Sequence, residues 1–266
     1  MKGEKLMAVI GAVLGDIAGS QFEFNRPENL DYKHCELFTN RCSYTDDTIM
    51  TLAVKKAILE NADFTKTMRE IGQPYPYSGY GGRFYEWMYG ENPKPYNSFG
   101  NGSAMRVSFV GEHFDALEDV ISMAEKSAEV THNHPEGIKG AVVTAVCIWM
   151  ARHGKTKEDI FQYVLEQYPA EKYEYSIAVP LDELEKIYQW NETCMGSVPA
   201  AMCCFYESDS YESFLRNVFR LKCDSDTLAA IGGAVAEEYY GWTGFYNEDE
   251  LLKKYLDANL YNLVKL

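Results

Sequence analysis

Two short acidic clusters in this 266-residue chain hold residue types that can do chemistry. Asp46 and Asp47 stand side by side behind Thr45 in YTDDTIM (44–50), and Asp224 and Asp226 precede Thr227 in DSDT (224–227). Each cluster runs straight into an apolar stretch. One reading is ordinary helix starting, because Thr or Asp caps a first turn and carboxylates suit its partial positive charge. A single acid is enough for a cap, however, and here the arrangement occurs twice. The other reading is coordination by oxygen alone, which suits Mg²⁺, Mn²⁺ or Ca²⁺ rather than zinc. Four carboxylates can hold two such ions, with one acid bridging them, and a metal pair can polarise hydroxyls or orient a water. Neither spacing fits an EF-hand loop.

The elements that must position these acids are helical by their periodicity. Met50, Val54, Ala57 and Ile58 recur at three- and four-residue steps behind the first cluster, and Leu228, Ile231 and Val235 do so behind the second. PEGIKGAVVTAVCIWMARHG (135–154) reads as a buried helix, with Pro135 near its start and Gly154 as its stop. Residues 117–132, 157–168 and 210–221 are amphipathic with the same period. Strand alternation is missing, so the expected fold is all-α, a single-domain multi-helix bundle over residues 1–266. Gly11, Gly15 and Gly19 share one face of the first helix, the pattern of close helix packing. Residues 72–99 hold four of the nine prolines and many aromatics. They predict a long ordered loop with at most one short helix, and such loops are usually functional.

Bulk properties narrow the function further. A net charge of −15 opposes binding to nucleic-acid backbone, which calls for a basic face. The seven cysteines contain no CxxC pair, which predicts reduced, mostly buried thiols in a cytoplasmic protein. Asp16 interrupts the apolar N-terminal stretch, and no run approaches the length of a membrane span, so neither a signal peptide nor membrane insertion is expected. The expected state is a monomer.

Five stretches, in order along the chain, carry a resemblance. They are GAVLGDIAGSQFEF (11–24), YTDDTIM (44–50), SFGNGSAMRV (98–107), THNHPEGIKGA (131–141) and DSDTLAAIGGAVAEEYYG (224–241). Through them the sequence resembles the ADP-ribosylglycohydrolase family. The resemblance implies an all-helical fold and two divalent cations, Mg²⁺ or Mn²⁺, held by Thr45, Asp46, Asp47, Asp224, Asp226 and Thr227 against the distal ribose of an ADP-ribosyl group. It also implies a hydrolase that removes ADP-ribose from an ADP-ribosylated protein or small conjugate. An arginine-linked acceptor is favoured, and serine or other O-linked acceptors stay open. A nucleotide sensor without turnover and a metal-dependent phosphohydrolase are the alternatives.

The same resemblance assigns further roles. Glu23 matches an acid near the scissile bond and, with Asp47, is the catalytic candidate; outside the family it would read as an exposed glutamate after a helix. Gly79, Gly81 and Gly82 in SGYGG, with Ser98, Phe99, Gly100 and Asn101, match loops that bind diphosphate and ribose, although GNGS alone could be a plain turn. Phe99 is expected to pack on adenine or a ribose. His132 matches a diphosphate ligand, and His134 is left structural because no third ligand supports zinc. Asp16, an acid in an apolar stretch, is expected to be structural and hydrogen-bonded. Arg106 could pair with an acid of the site or form a core salt bridge. Cys223 stands where the family often has a smaller residue and reads as packing. The aromatic segment 72–96 is assigned to the leaving-group side.

Overall fold

Apolar residues at three- and four-residue steps produce helices along nearly the whole chain. The computed structural model describes residues 9–245 and 247–266; the first eight residues of the apolar N-terminal stretch and Tyr246 lie outside the described residues. In chain order the elements are α1 (Ile10–Glu23), α2 (Asp46–Leu59), α3 (Phe64–Gly72), α4 (Gly82–Tyr89), α5 (Gly102–Met105), α6 (Ser108–His113), α7 (Leu117–Glu129) and α8 (Pro135–Arg152), then α9 (Lys157–Gln167), α10 (Leu181–Ile187), α11 (Cys194–Tyr206), α12 (Tyr211–Arg220), α13 (Ser225–Tyr240), α14 (Glu248–Tyr255) and α15 (Ala258–Val264). Among the described residues there is no strand, only an isolated bridge between Gly100 and Thr193. The 72–99 segment carries one short helix, α4, as its composition predicts.

The centre of the molecule is α13. Every residue from Ser225 to Glu238 is buried, as expected of a helix that is apolar around most of its circumference. It packs against α1, α8, α11 and α12. The closest of these contacts is with α1, and the glycines make it possible. A Cβ added at Gly11, Gly15 or Gly19 would enter the van der Waals envelope of the backbone at Gly233, Ala229 or Ser225, respectively. That order also shows that the two helices run antiparallel. The C-terminal end of α1, carrying Glu23, therefore lies against the N-terminal end of α13, carrying Asp224 and Asp226.

The termini of α8 follow their sequence signals. Pro135 opens the helix, His134 caps it by accepting from the Glu136 amide at 3.1 Å, and Gly154 follows with φ 70°. Six of the seven cysteines are buried, Cys223 among them, and none is in a disulfide. Among the described residues no helix is long and apolar enough to cross a membrane.

Candidate metal and ligand site

The two acidic clusters meet. Thr227 Oγ1 donates to Asp47 Oδ2 at 3.2 Å, joining residues 180 positions apart. The capping question is answered residue by residue. Thr45 caps α2, its hydroxyl accepting from the Asp47 amide at 3.2 Å. Asp224 occupies the N-cap position of α13 but makes no capping hydrogen bond. Capping therefore does not account for Asp46, Asp47 or Asp224.

Asp16 holds the first turn of α2 in place. Its carboxylate accepts from the Thr45 amide at 3.0 Å, the Thr45 hydroxyl at 2.8 Å, the Thr48 amide at 3.1 Å and the Thr48 hydroxyl. This is the structural role expected of an acid in an apolar stretch. Burial raises its pKa to about 6 against the lowering effect of those bonds.

Glu23, Asp224 and Asp226 each offer a carboxylate oxygen within 4.8 Å of the others, a geometry that could hold a metal ion. Asp47, Asp226 and Thr227 are buried, and Asp47 Oδ1 has no hydrogen-bond partner among the described residues. Crowding acids out of water is unfavourable, and the effect is visible in their protonation. Burial, followed by the charge of Asp224, lifts Glu23 to about 7. Burial followed by neighbouring carboxylates holds Asp46, Asp47 and Asp226 well above the ordinary carboxylate range. An orphaned carboxylate oxygen, hard donors throughout and mutual repulsion together fit a divalent cation.

Glu23, Asp46, Asp47, Asp224, Asp226 and Thr227 line a cleft of about 360 Å³, within the usual range for small-molecule sites. Loops complete its wall. Gly79, Gly81, Gly82, Ser98, Gly100, Asn101 and His132 also line it, and Gly79 sits close to Asp46, where a Cβ would come within 3.0 Å of Oδ1. The 98–102 loop is pinned to the start of α11: Asn101 N donates to Glu192 O at 2.8 Å and Cys194 N to Phe99 O at 2.9 Å. Asn101 Nδ2 donates to Asp224 Oδ2 at 2.8 Å, so this side chain orients one of the clustered carboxylates. Burial, then the charges of Arg106 and Arg83, depress His132 well below the usual imidazole range, which keeps it neutral.

A family model described as ADP-ribosylglycohydrolase matches residues 5–259. The chain belongs to the ADP-ribosylglycohydrolase family. It is 28% identical to the ADP-ribosylhydrolase ARH3 of Homo sapiens, over 87% of this chain and 84% of that protein. It is 24% identical to the protein of that name in Xenopus tropicalis, over 88% and 86%. Among solved structures, an ADP-ribosylglycohydrolase-related protein complex shares the fold, with a TM-score of 0.74 at 21% identity over 98% of this chain and 95% of that one. This ADP-ribosylglycohydrolase is accordingly an all-α enzyme of a hydrolase family.

Several placements differ from what the motifs suggest. Phe99 does not line the cleft; its ring lies 5.2 Å from that of His134 and is 44% exposed. Thr45 also stays out of the lining, its hydroxyl engaged by Asp16. Arg106 makes neither of the expected ion pairs among the described residues, and donates to Ser127 O and Thr131 Oγ1 instead. Glu23, read as catalytic, stands among the candidate metal ligands. From the 72–96 segment, Arg83 and Tyr96 lie toward His132, the two rings of Tyr96 and His132 being 6.1 Å apart. The aromatic residue beside Glu23 is Phe24, stacked on Trp190 at 5.6 Å. Glu192 lines the same part of the cleft. Nothing local marks Glu192 or Trp190 in the sequence, because only the fold of the 188–193 segment brings them there.

Proposed function

We propose that this ADP-ribosylglycohydrolase releases ADP-ribose from an ADP-ribosylated protein or small conjugate in a reaction that depends on divalent metal. The observation that carries the reading is the mixed lining of one cleft. Carboxylates from α1, α2 and the start of α13 crowd together there, and glycine loops, neutral His132 and the cations Arg83 and Arg106 line the same cleft. ADP-ribose needs both kinds of lining, with the hydroxyls of its distal ribose for a metal held by the acids and its diphosphate for the amides and cations. Loop amides and His132 suit the diphosphate.

Asp46, Asp47, Asp224, Asp226 and Thr227, with Glu23 beside them, would hold two Mg²⁺ or Mn²⁺ ions. Those ions would supply charge neutralisation and oxygen coordination for the ribose hydroxyls. The remaining work falls to the chain. The bond from C1″ to the acceptor breaks, and positive charge spreads over C1″ and the ring oxygen, where the surrounding carboxylates stabilise it. A water forms the new C1″–O bond. Glu23 or Asp47 takes its proton; a guanidinium acceptor departs as neutral guanidine, and an alcohol acceptor needs one proton, supplied by whichever of the two carboxyls is protonated and replaced by the one taken from water. An arginine-linked acceptor suits the mouth beside Glu23. A planar guanidinium can stack on the Phe24–Trp190 pair and face Glu192, whose Oε1 accepts from Trp190 Nε1 at 3.1 Å.

The test is product analysis. Purified protein with MgCl₂ is incubated with ADP-ribosyl-arginine and with an ADP-ribosylserine peptide, and the products are separated by chromatography. Free ADP-ribose is expected, faster from the arginine conjugate, and abolished by EDTA. Release of AMP or inorganic phosphate would replace this reading with a phosphohydrolase, and bound but unchanged substrate would replace it with a sensor.

A further inference from the structure

Arg106 is completely buried, and its hydrogen bonds specify the chemistry of a neighbour. Its Nη2 donates to Thr131 Oγ1 at 2.9 Å and to Ser127 O at 2.9 Å. Thr131 Oγ1 in turn lies 2.7 Å from His132 Nδ1. A guanidinium only donates. Thr131 must therefore accept from Arg106, which leaves its own hydroxyl proton to be given away. Among the described residues, the nitrogen of His132 is the partner within reach. The arrangement that uses this proton has His132 Nδ1 accepting, and it places the ring proton on Nε2.

We propose that Arg106 and Thr131 are positioning residues that fix His132 as the Nε2–H tautomer and so present a neutral donor to a phosphate oxygen in the cleft. The direction of the ring fits. Nε2 lies on the side of Gly100 and Gly102, where a Cβ at either glycine would come within 3.6 Å or 3.3 Å of it, respectively. The two remaining donor nitrogens of Arg106, Nε and Nη1, are buried without a partner among the described residues, and the residue lines the cleft. Its charge is thus unbalanced by any ion pair among the described residues and favours an anion there. The choice of phosphate as ligand rests on the function proposed above; the tautomer does not.

Two measurements test the chain of bonds. In the ligand-free protein at neutral pH, a two-bond ¹H–¹⁵N spectrum of the imidazoles, with His132 assigned by comparison with His132→Asn, should show Nε2 protonated. Thr131→Val should release that preference and weaken ADP-ribose binding about tenfold to a hundredfold by calorimetry, with thermal melting confirming that it folds. Thr131→Ser, which restores the hydroxyl, should restore both. A proton on Nδ1 in the wild type, or a folded Thr131→Val that binds ADP-ribose as tightly as wild type, would overturn the proposal. If wild-type protein fails to bind ADP-ribose, the functional reading falls, and the spectrum alone decides the tautomer.

Discussion

Asp47 carries the clearest residue-scale consequence. One of its carboxylate oxygens accepts from Thr227 and the other is buried with no partner among the described residues. Removing the carboxylate removes a hard donor and the link between the clusters. Asp47→Ala and Asp226→Ala should therefore each weaken Mg²⁺ binding by tenfold or more and leave no measurable turnover; calorimetric Mg²⁺ titration and the ADP-ribose release assay check both. Full turnover by either variant would end the metal-based mechanism. Glu23 separates two roles. It lies within ligand distance of Asp224 and Asp226, and burial lifts its carboxyl to about 7. Glu23→Gln should lower kcat about a hundredfold and also weaken Mg²⁺ binding severalfold. A loss of kcat at unchanged metal affinity would assign it to proton transfer alone.

The decisive element-scale contact is the antiparallel pairing of α1 with α13. It sets Glu23 against Asp224 and Asp226, and it works only because glycine lets the backbones approach. Gly15 sits mid-contact, where a Cβ would strike the Ala229 backbone rather than a side chain that could turn aside. Gly15→Ala should cost about 1–3 kcal/mol or more, despite the better helix propensity of alanine. It should weaken Mg²⁺ binding as well, because the helices that present the acids are forced apart. Thermal melting and Mg²⁺ titration read the two effects separately. An unchanged melting temperature would mean that the helices can shift without cost.

At the scale of the whole molecule, the fold stores carboxylates in a place they disfavour when charged. Asp16 is raised to about 6 and Glu23 to about 7, from ordinary values of 3.8 and 4.5, and Asp46, Asp47 and Asp226 move in the same direction. Between those limits the folded protein binds more protons than the unfolded chain. Its stability without metal must then fall as pH rises, most steeply from about pH 4.5 to pH 7. EDTA-treated protein should lose about 5 °C or more of melting temperature between pH 5 and pH 7.5. Mg²⁺ binds the deprotonated acids, so its stabilising effect should grow over the same interval, reaching about 2.7 kcal/mol at a hundredfold excess over Kd. A pH-independent melting temperature in EDTA would show that the acids are relieved by some other partner.

Much of this protein was legible before folding. The 3.6-residue periodicity, the termini of α8, the stripe of glycines in α1 and the doubled acid-threonine clusters are local features, set by side-chain type and spacing of only three or four residues. The motifs at 44–50 and 224–227 also pointed to acids gathered where they could hold a metal ion. What only the tertiary structure decided is which distant groups share a volume: Glu23 with Asp224 and Asp226, Asn101 with Asp224, Arg106 with Thr131, and Phe24 with Trp190. Those pairings depend on helix crossings and on loops pinned by backbone hydrogen bonds. Neither leaves a periodic trace in the chain, because a contact across a hundred residues constrains geometry without constraining the neighbours on either side.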